Sequence, residues 1–366
     1  MVIPIKPVPA TPVGRQPSHD ALGAHTRPGA IRLASLPPLS LYVHFPWCAK
    51  KCPYCDFNSH AVDAASPIPE ERYIAALLRD LELSLPLVWG RRVHSIFFGG
   101  GTPSLLSANG FERLLSEIRA RIGLEADAEI TLEANPGTVE AAKFASFRKS
   151  GVNRLSIGIQ SFNTAHLQAL GRIHDGNEAR TAIRIAKDLF DNFNLDLMYA
   201  LPGQTADQLQ LDLDTALGFN PPHLSAYHLT LEANTLFAKY PPPLPDDDTA
   251  ADMQAQIEAQ LAAKGYEHYE TSAYARPGLR SRHNINYWRF GDYLGIGAGA
   301  HGDPDRQGLV RQFQPRSDVR AAGADCGSAP IRPRHGTRIQ SAPLVGLPPH
   351  TRSQHPLRQI STAIAG

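Results

Sequence analysis

The sequence has no long apolar run, almost no net charge and few cysteines, and each shortage excludes a class of protein. It contains no run of about 18 apolar residues, so it predicts no membrane-spanning helix. The N-terminus lacks an apolar stretch of roughly 7–15 residues behind basic ones, which argues against a secretory signal and favours the cytoplasm. With 36 Lys and Arg against 35 Asp and Glu, the chain lacks the positive charge expected of a dedicated nucleic-acid binder.

Only four cysteines occur in 366 residues, and three of them lie close together. Cys48, Cys52 and Cys55 fall within eight residues, whereas Cys326 lies far away. A disulfide framework needs an even number of dispersed cysteines and an oxidising compartment. An odd cluster in a chain without a secretory signal predicts a metal site instead.

Proline marks both ends of the predicted folded region. Residues 1–40 and residues 303–366 each hold eight of the 31 prolines. Residues 1–38 show neither helical nor strand periodicity and are predicted to form a disordered, Pro-rich tail. Residues 303–366 hold nine Arg, four Asp, no Lys and no amphipathic repeat, so we predict an atypical, unstructured tail. An apolar fraction of 42% is enough for a core between the tails.

Strand-like and helical segments alternate between the tails. Short apolar segments predict six strands, at Ser40–Phe45, Val93–Phe98, Glu129–Glu133, Leu155–Ile159, Leu195–Tyr199 and Leu224–Leu229. Helices are predicted between them, at Glu70–Leu87, Ala108–Ile122, Val139–Ser150, Glu178–Asp191 and Asp207–Phe219. Such units predict an α/β fold with a parallel sheet covered by helices. Charged or glycine-rich strand ends favour a partial TIM-type (β/α)₆ barrel over residues 39–245, although a doubly wound open sheet also fits.

The pattern changes after Pro245. A predicted helix at Thr249–Lys264 is followed by two Tyr-rich segments, Tyr266–Tyr274 and Asn284–Tyr293. These segments predict antiparallel strands, and residues 246–302 are therefore interpreted as a small appended α+β subdomain.

The spacing of the clustered cysteines indicates which metal they hold. Structural zinc usually needs four ligands, commonly two Cys-x2-Cys pairs, and no second pair is present. Three thiolates spaced as Cys48, Cys52 and Cys55 are suited to three irons of a 4Fe–4S cluster, whose fourth iron then stays open to a ligand. Three incidental cysteines are the alternative interpretation, but the spacing favours the cluster.

This cysteine motif on the first loop of a predicted partial barrel resembles the radical S-adenosylmethionine (SAM) superfamily. In that superfamily the open iron binds SAM, whose reductive cleavage yields a radical. The segments Gly99–Ser104, Glu133–Pro136, Ser156–Phe162 and Leu201–Gln204 further resemble the oxygen-independent coproporphyrinogen III oxidase family. The resemblance implies SAM contacts from Tyr42, Tyr54, Gly100, Gly101, Thr102, Glu133, Gln160, Arg172 and Asp196. For any one of these residues, an ordinary polar position at the barrel rim is the alternative.

Two features separate the branches of that family. The oxidases carry a further cysteine two places after the third ligand, where this chain has Phe57. Residues 283–288 match the His-Asn-x-x-Tyr-Trp motif of the heme-chaperone branch, the HemW proteins. The resemblance implies a heme site at His283, Asn284, Tyr287 and Trp288, with the histidine on the iron. A hydrogen-bonded histidine in a small aromatic core is the alternative.

The resemblance leads us to expect a HemW-like heme chaperone that binds heme, a 4Fe–4S cluster and SAM. Hemoproteins, respiratory enzymes among them, would receive the heme. The alternatives are an enzyme that decarboxylates coproporphyrinogen III and an inactive iron–sulfur protein. A homodimer and peripheral contact with a membrane stay open. The family continues beyond Gly302 with a further domain that residues 303–366 do not resemble, so a truncation or altered reading frame is an additional hypothesis.

Overall fold

The computed structural model describes residues 35–62 and 67–300. Most of the predicted N-terminal tail, the predicted C-terminal tail and Cys326 lie outside these ranges. Every element described below belongs to the unit that begins at Leu39. Within the described ranges, no helix has the length and apolar character needed to cross a bilayer.

Strands and helices alternate along the described chain. The strands are β1 (Leu39–Phe45), β2 (Trp47–Cys48), β3 (His60–Ala61), β4 (Val93–Gly100), β5 (Leu124–Ala134), β6 (Arg154–Gln160), β7 (Phe193–Tyr199), β8 (His223–His228), β9 (Glu267–Glu270), β10 (Ala273–Ala275) and β11 (Asp292–Ile296). The helices are α1 (Glu70–Ser84), α2 (Ala108–Arg121), α3 (Ala141–Ser150), α4 (Thr164–Ala169), α5 (Gly176–Leu189), α6 (Ala206–Gly218), α7 (Leu236–Lys239), α8 (Asp247–Ala263) and α9 (Arg282–Trp288). All six predicted strands and the five helices predicted between them are present, with small shifts of their bounds.

The order of the strands confirms the partial barrel. Nine strands form one sheet in the order β11-β1-β4-β5-β6-β7-β8-β10-β9. Six of them, β1, β4, β5, β6, β7 and β8, are adjacent in this order and parallel to one another. These six follow one another in chain order, whereas a doubly wound sheet reverses its order at a switch point. A one-way succession of β-then-α units is the arrangement of a barrel.

Residues 267–296 extend both edges of this sheet. The β9–β10 hairpin pairs antiparallel with β8, and β11 pairs parallel with β1. The prediction of an antiparallel strand over Asn284–Tyr293 is wrong, because residues 282–288 form α9 and the strand that follows, β11, pairs parallel with β1. Ser281 caps this helix by accepting a hydrogen bond from Asn284 N at 3.3 Å. A separate subdomain from residue 246 stays a prediction.

Side chains of the parallel strands alternate between an apolar and a polar face. The apolar face, with Leu41, Val43, Ile96 and Phe98, lies in the main hydrophobic core. The opposite face is the barrel interior, and it carries Ser40, Tyr42, His44, Ser95, Phe97, Glu129, Thr131, Glu133, Arg154, Ser156, Gln160, Asn194, Asp196, His223 and Ser225. TIM barrels fill this space mostly with Val, Ile and Leu. A polar interior therefore indicates a ligand site.

Asp212 on α6 fixes the segment that follows β6. Its side chain is buried and accepts hydrogen bonds from Ser161 Oγ at 2.6 Å and Phe162 N at 2.7 Å. The carboxylate thus satisfies two buried donors where the chain leaves the sheet.

Asp212→Ala would leave both donors unpaired, so we expect the free energy of unfolding to fall by about 2–4 kcal/mol. Urea denaturation followed by circular dichroism measures the change. Asp188→Ala, at an exposed position of α5, is the control and should change stability by less than about 0.5 kcal/mol. Equal effects of the two substitutions would contradict the role of Asp212.

Candidate functional site

The three cysteines lie between β1 and β3, in the segment called here the cysteine loop, which begins with the short strand β2. The glycine turn after β4 holds this loop. Gly101 N donates to Phe45 O at 2.6 Å, and Thr102 N donates to Trp47 O at 2.7 Å. A Cβ at position 101 would lie 2.5 Å from the Trp47 carbonyl oxygen, so this approach requires glycine. The sequence did not indicate this anchoring role of the turn.

The donor set in the loop fits an iron–sulfur cluster better than a single ion. Cys48, Cys52 and Cys55 are all free thiols at partly exposed positions. In the described part of the chain, no three His, Cys, Asp or Glu side chains are arranged to hold one metal ion. A 4Fe–4S cluster instead attaches each thiolate to a different iron. Burial raises the pKa of Cys48 and of Cys55, so metal binding would release their protons.

Arg172 connects the cysteine loop to the ends of the strands. Its Nη1 lies 3.6 Å from Cys52 Sγ, and its Nη2 donates to Gly158 O at 2.8 Å and to Asn135 Oδ1. Tyr54 lies beside this guanidinium, and burial is the main cause that raises its pKa. The structure therefore brings together the predicted residues Cys52, Tyr54 and Arg172.

Two predicted carboxyl groups, those of Glu133 and Asp196, lie close together in the barrel interior. Burial and the neighbouring Asp196 raise the pKa of Glu133 to about 8, and burial raises that of Asp196. Gly100 N donates to Glu133 Oε2 at 3.2 Å. Ser156 Oγ and Asn194 Nδ2 donate to Asp196 at 3.1 and 2.7 Å. At neutral pH, Glu133 is therefore mainly a neutral acid.

The side chain of Gln160, the last residue of β6, has an oxygen atom without a hydrogen-bond partner among the described residues. Its backbone adopts a φ of 66°, in the left-handed region that non-glycine residues rarely occupy. Its Oε1 is buried and lacks a hydrogen-bond partner within the described residues. Buried amide oxygens are normally satisfied. This orphaned oxygen fits a site whose ligand carries donors, as the amino and hydroxyl groups of SAM do.

The sequence did not single out two residues that organise the site. The His44 ring connects Tyr42 OH, at 3.0 Å from Nδ1, to Asn58 O, at 2.9 Å from Nε2. Asn135 Nδ2 donates to Thr102 Oγ1 at 2.8 Å. His44 lies two residues after Tyr42 on the interior face, and strand alternation was the signal that could have found it.

The predicted heme motif lies toward the amino-terminal ends of the strands, away from the cysteine loop. His283 is 2% exposed, with Nδ1 at 3.0 Å from Ser95 Oγ and Nε2 at 3.1 Å from Tyr287 OH. Its ring stacks on Phe97 with 5.1 Å between centroids. Burial and the nearby Arg154 lower its pKa to about 3. In this conformation both ring nitrogens of His283 lie within hydrogen-bond distance of a hydroxyl group. This is the hydrogen-bonded histidine in an aromatic core that the sequence left open as the alternative to a heme ligand.

A comparison with protein families identifies the class to which this architecture belongs. A model described as the Radical SAM superfamily matches residues 42–216. The partial (β/α)₆ barrel with three cysteines on its first loop is therefore the fold of a radical SAM protein. Proteins of this class bind a 4Fe–4S cluster and SAM.

Individual relatives narrow the class to a family. Over 271 residues the chain is 55% identical to the heme chaperone HemW of Escherichia coli (strain K12), covering 74% of this chain and 71% of the relative. It is 54% identical to the Haemophilus influenzae heme chaperone HemW over 275 residues, with the same coverage. The chain belongs to the HemW family.

One solved structure of a related enzyme is also similar. Coproporphyrinogen III oxidase (HemN) from Escherichia coli, described as a radical SAM enzyme, superposes with a TM-score of 0.65 at 29% identity. The match covers 73% of this chain and 65% of the HemN chain.

The raised pKa of Glu133 predicts a pH-dependent stability of the metal-free protein. The folded state holds a proton that the unfolded chain releases near its ordinary pKa of 4.5, so this stabilising contribution is lost as the pH rises through about 8. We expect wild type to lose about 1–3 kcal/mol between pH 6 and 9 relative to Glu133→Gln, which cannot ionise. Chemical denaturation at several pH values measures the difference.

Glu112→Gln, at an exposed position of α2, is the matched control and should keep the wild-type pH profile. Parallel pH profiles of wild type and Glu133→Gln would show that Glu133 ionises at its ordinary pKa.

Proposed function

We propose that the chain is a heme chaperone that binds heme and transfers it to hemoproteins. The supporting observation is the 55% identity to a heme chaperone over 74% of the chain. Phe57 also supports the proposal. Its exposed side chain occupies the position at which the coproporphyrinogen III oxidases carry a further cysteine. Within this proposal, the protein is located in the cytoplasm, and the hemoproteins that receive the heme include respiratory enzymes. A homodimer and peripheral membrane contact are hypotheses that rest on the resemblance alone.

We assign the cluster to Cys48, Cys52 and Cys55, and SAM to the interior beside them. When bound, the cluster supplies an open iron and one-electron redox chemistry. Glu133, Asp196 and the orphaned Oε1 of Gln160 would accept hydrogen bonds from the amino and hydroxyl groups of SAM. Gly100, Gly101, Thr102, Tyr42, Tyr54 and Arg172 complete the proposed SAM site. Arg172 places a positive charge beside Cys52, which favours an anionic, thiolate-bound group.

We assign the heme iron ligand to His283. Its neutral imidazole is the form that binds iron. A nitrogen becomes available only when the hydrogen bond to Ser95 or to Tyr287 is broken. Because α9 carries both His283 and Tyr287, heme binding in this proposal requires α9 to shift or its side chains to reorient. Asn284, Tyr287 and Trp288 are partly exposed on the same helix and would contact the porphyrin.

The cluster assignment predicts that each single cysteine substitution prevents stable cluster assembly. Cys48→Ser, Cys52→Ser and Cys55→Ser each leave two thiolates, so we expect most of the bound iron and sulfide to be lost after anaerobic reconstitution. Iron and sulfide analysis with absorption spectroscopy measures the loss, and Cys326→Ser is the control. Full cluster content in all three variants would refute the assignment.

The heme assignment predicts that His283→Ala weakens hemin binding by about 10-fold or more, because an iron–ligand bond is lost. A hemin titration of the cluster-reconstituted protein, followed by Soret absorption, measures the affinity. His268→Ala, at an exposed position of β9, is the control. Tyr287→Phe keeps the ring but removes the hydrogen bond to His283, so it should bind hemin at least as tightly as wild type.

Two outcomes of this titration would count against the proposals. Equal affinities of wild type and folded His283→Ala would exclude His283 as the ligand. A wild-type protein that fails to bind hemin would refute the proposed function itself.

A further inference from the structure

A buried arginine that forms no ion pair with any of the described residues lies in the barrel interior. Arg154 begins β6 and is 2% exposed. Its Nε has no hydrogen-bond partner, and no carboxylate of the described residues forms an ion pair with its guanidinium. Buried arginines are normally paired, because an isolated charge is costly to remove from water.

Acidic side chains lie near Arg154, but none of the described ones forms an ion pair with it. Burial and the charge of Arg154 lower the pKa of His223 and of His283, so both histidines are neutral at pH 7. Burial raises the pKa of Asp196, and the charge of Arg154 partly offsets this, but the Asp196 carboxylate accepts its hydrogen bonds from Ser156 and Asn194. Glu129 is committed to α9, since it accepts from Ser281 Oγ, Arg282 N and His283 N at 3.0–3.2 Å.

A second unpartnered group lies beside the arginine. Thr131 is paired with Arg154 in the register of β5 and β6, so the two side chains are neighbours on the interior face. Thr131 Oγ1 is buried and has no hydrogen-bond partner within the described residues. The hydroxyl and the guanidinium together offer adjacent donors to one acceptor group.

We propose that Arg154 and Thr131 form a binding site for a carboxylate group of a ligand that enters the barrel interior. The planar guanidinium matches a carboxylate with two parallel hydrogen bonds, and the threonine hydroxyl adds a third. The bound anion would supply the direct ion pair that no described residue makes with Arg154. His283 lies close enough to Arg154 for the cation to lower its pKa, so the site neighbours the proposed heme ligand.

This inference rests on the proposed function for the identity of the ligand. Heme presents two propionates, and SAM presents one methionyl carboxylate, so either can supply the group. His283, on α9, lies near Arg154. The same displacement of α9 that frees His283 for iron would uncover Arg154 for a propionate.

The test compares hemin with hemin dimethyl ester, whose propionates carry no charge. We expect wild type to prefer hemin by about 10-fold or more, and Arg154→Met to lose this preference through weaker hemin binding. Arg154→Lys keeps the charge without the planar fork and should be intermediate. Arg184→Met, at an exposed position of α5, is the control. SAM binding is titrated in parallel on all four proteins.

Each outcome assigns or removes the site. Loss of the acid-over-ester preference with unchanged SAM affinity identifies the propionate, and weaker SAM binding alone identifies the methionyl carboxylate. If hemin and its ester bind wild type equally and Arg154→Met leaves SAM affinity unchanged, the inference is overturned while the proposed function stands. If wild type binds no hemin, the proposed function fails and the SAM titration alone decides on the site.

Thermal unfolding separates this site from a structural role. A buried cation without an ion pair is costly to the fold, so Arg154→Met should melt no lower than wild type without ligands. A large drop in melting temperature would mean that the arginine stabilises the fold itself, which would overturn the inference.

Discussion

Alternation of side chains along the parallel strands is the constraint on which this structure depends. Each strand that packs Leu, Ile, Val or Phe under the helices must turn its intervening residues toward the barrel interior. In β1 that rule places Tyr42 and His44 inside, and in β5 it places Glu129, Thr131 and Glu133 there. The register of neighbouring strands then gathers these residues into one polar interior, so the packing of the core and the construction of the site are one problem.

Sequence reasoning located the elements better than it located the partners. The six parallel strands carry strong local signals, and the cysteine loop and glycine turn are contiguous motifs, so both were predicted. Strand propensity of the Tyr-rich residues 284–293 misled the prediction of α9. That helix is stabilised by Glu129, which lies 152 positions before Ser281, and no local window contains such a contact.

The residues that sequence reasoning missed share this dependence on distant partners. His44 organises the site because its two ring nitrogens form hydrogen bonds with Tyr42 and Asn58. Asn135 does so because its side-chain amide forms hydrogen bonds with Thr102 and Arg172. Arg154 is notable for the opposite reason, since none of the described carboxylates forms an ion pair with it and its Nε has no hydrogen-bond partner among the described residues. An unmet requirement of that kind becomes visible only when all the neighbours are known.

The protonated state of Glu133 couples ligand affinity to solution pH. A carboxyl group with a pKa of about 8 must give up its proton before it can interact as an anion with a positively charged ligand group. Below that pH, binding of such a group at Glu133 would expel up to one proton into the buffer. The apparent dissociation constant would then decrease as the pH rises and level off above about 8. Binding of a positively charged ligand group beside Glu133 would therefore be coupled to the release of a proton from the Glu133 carboxyl group.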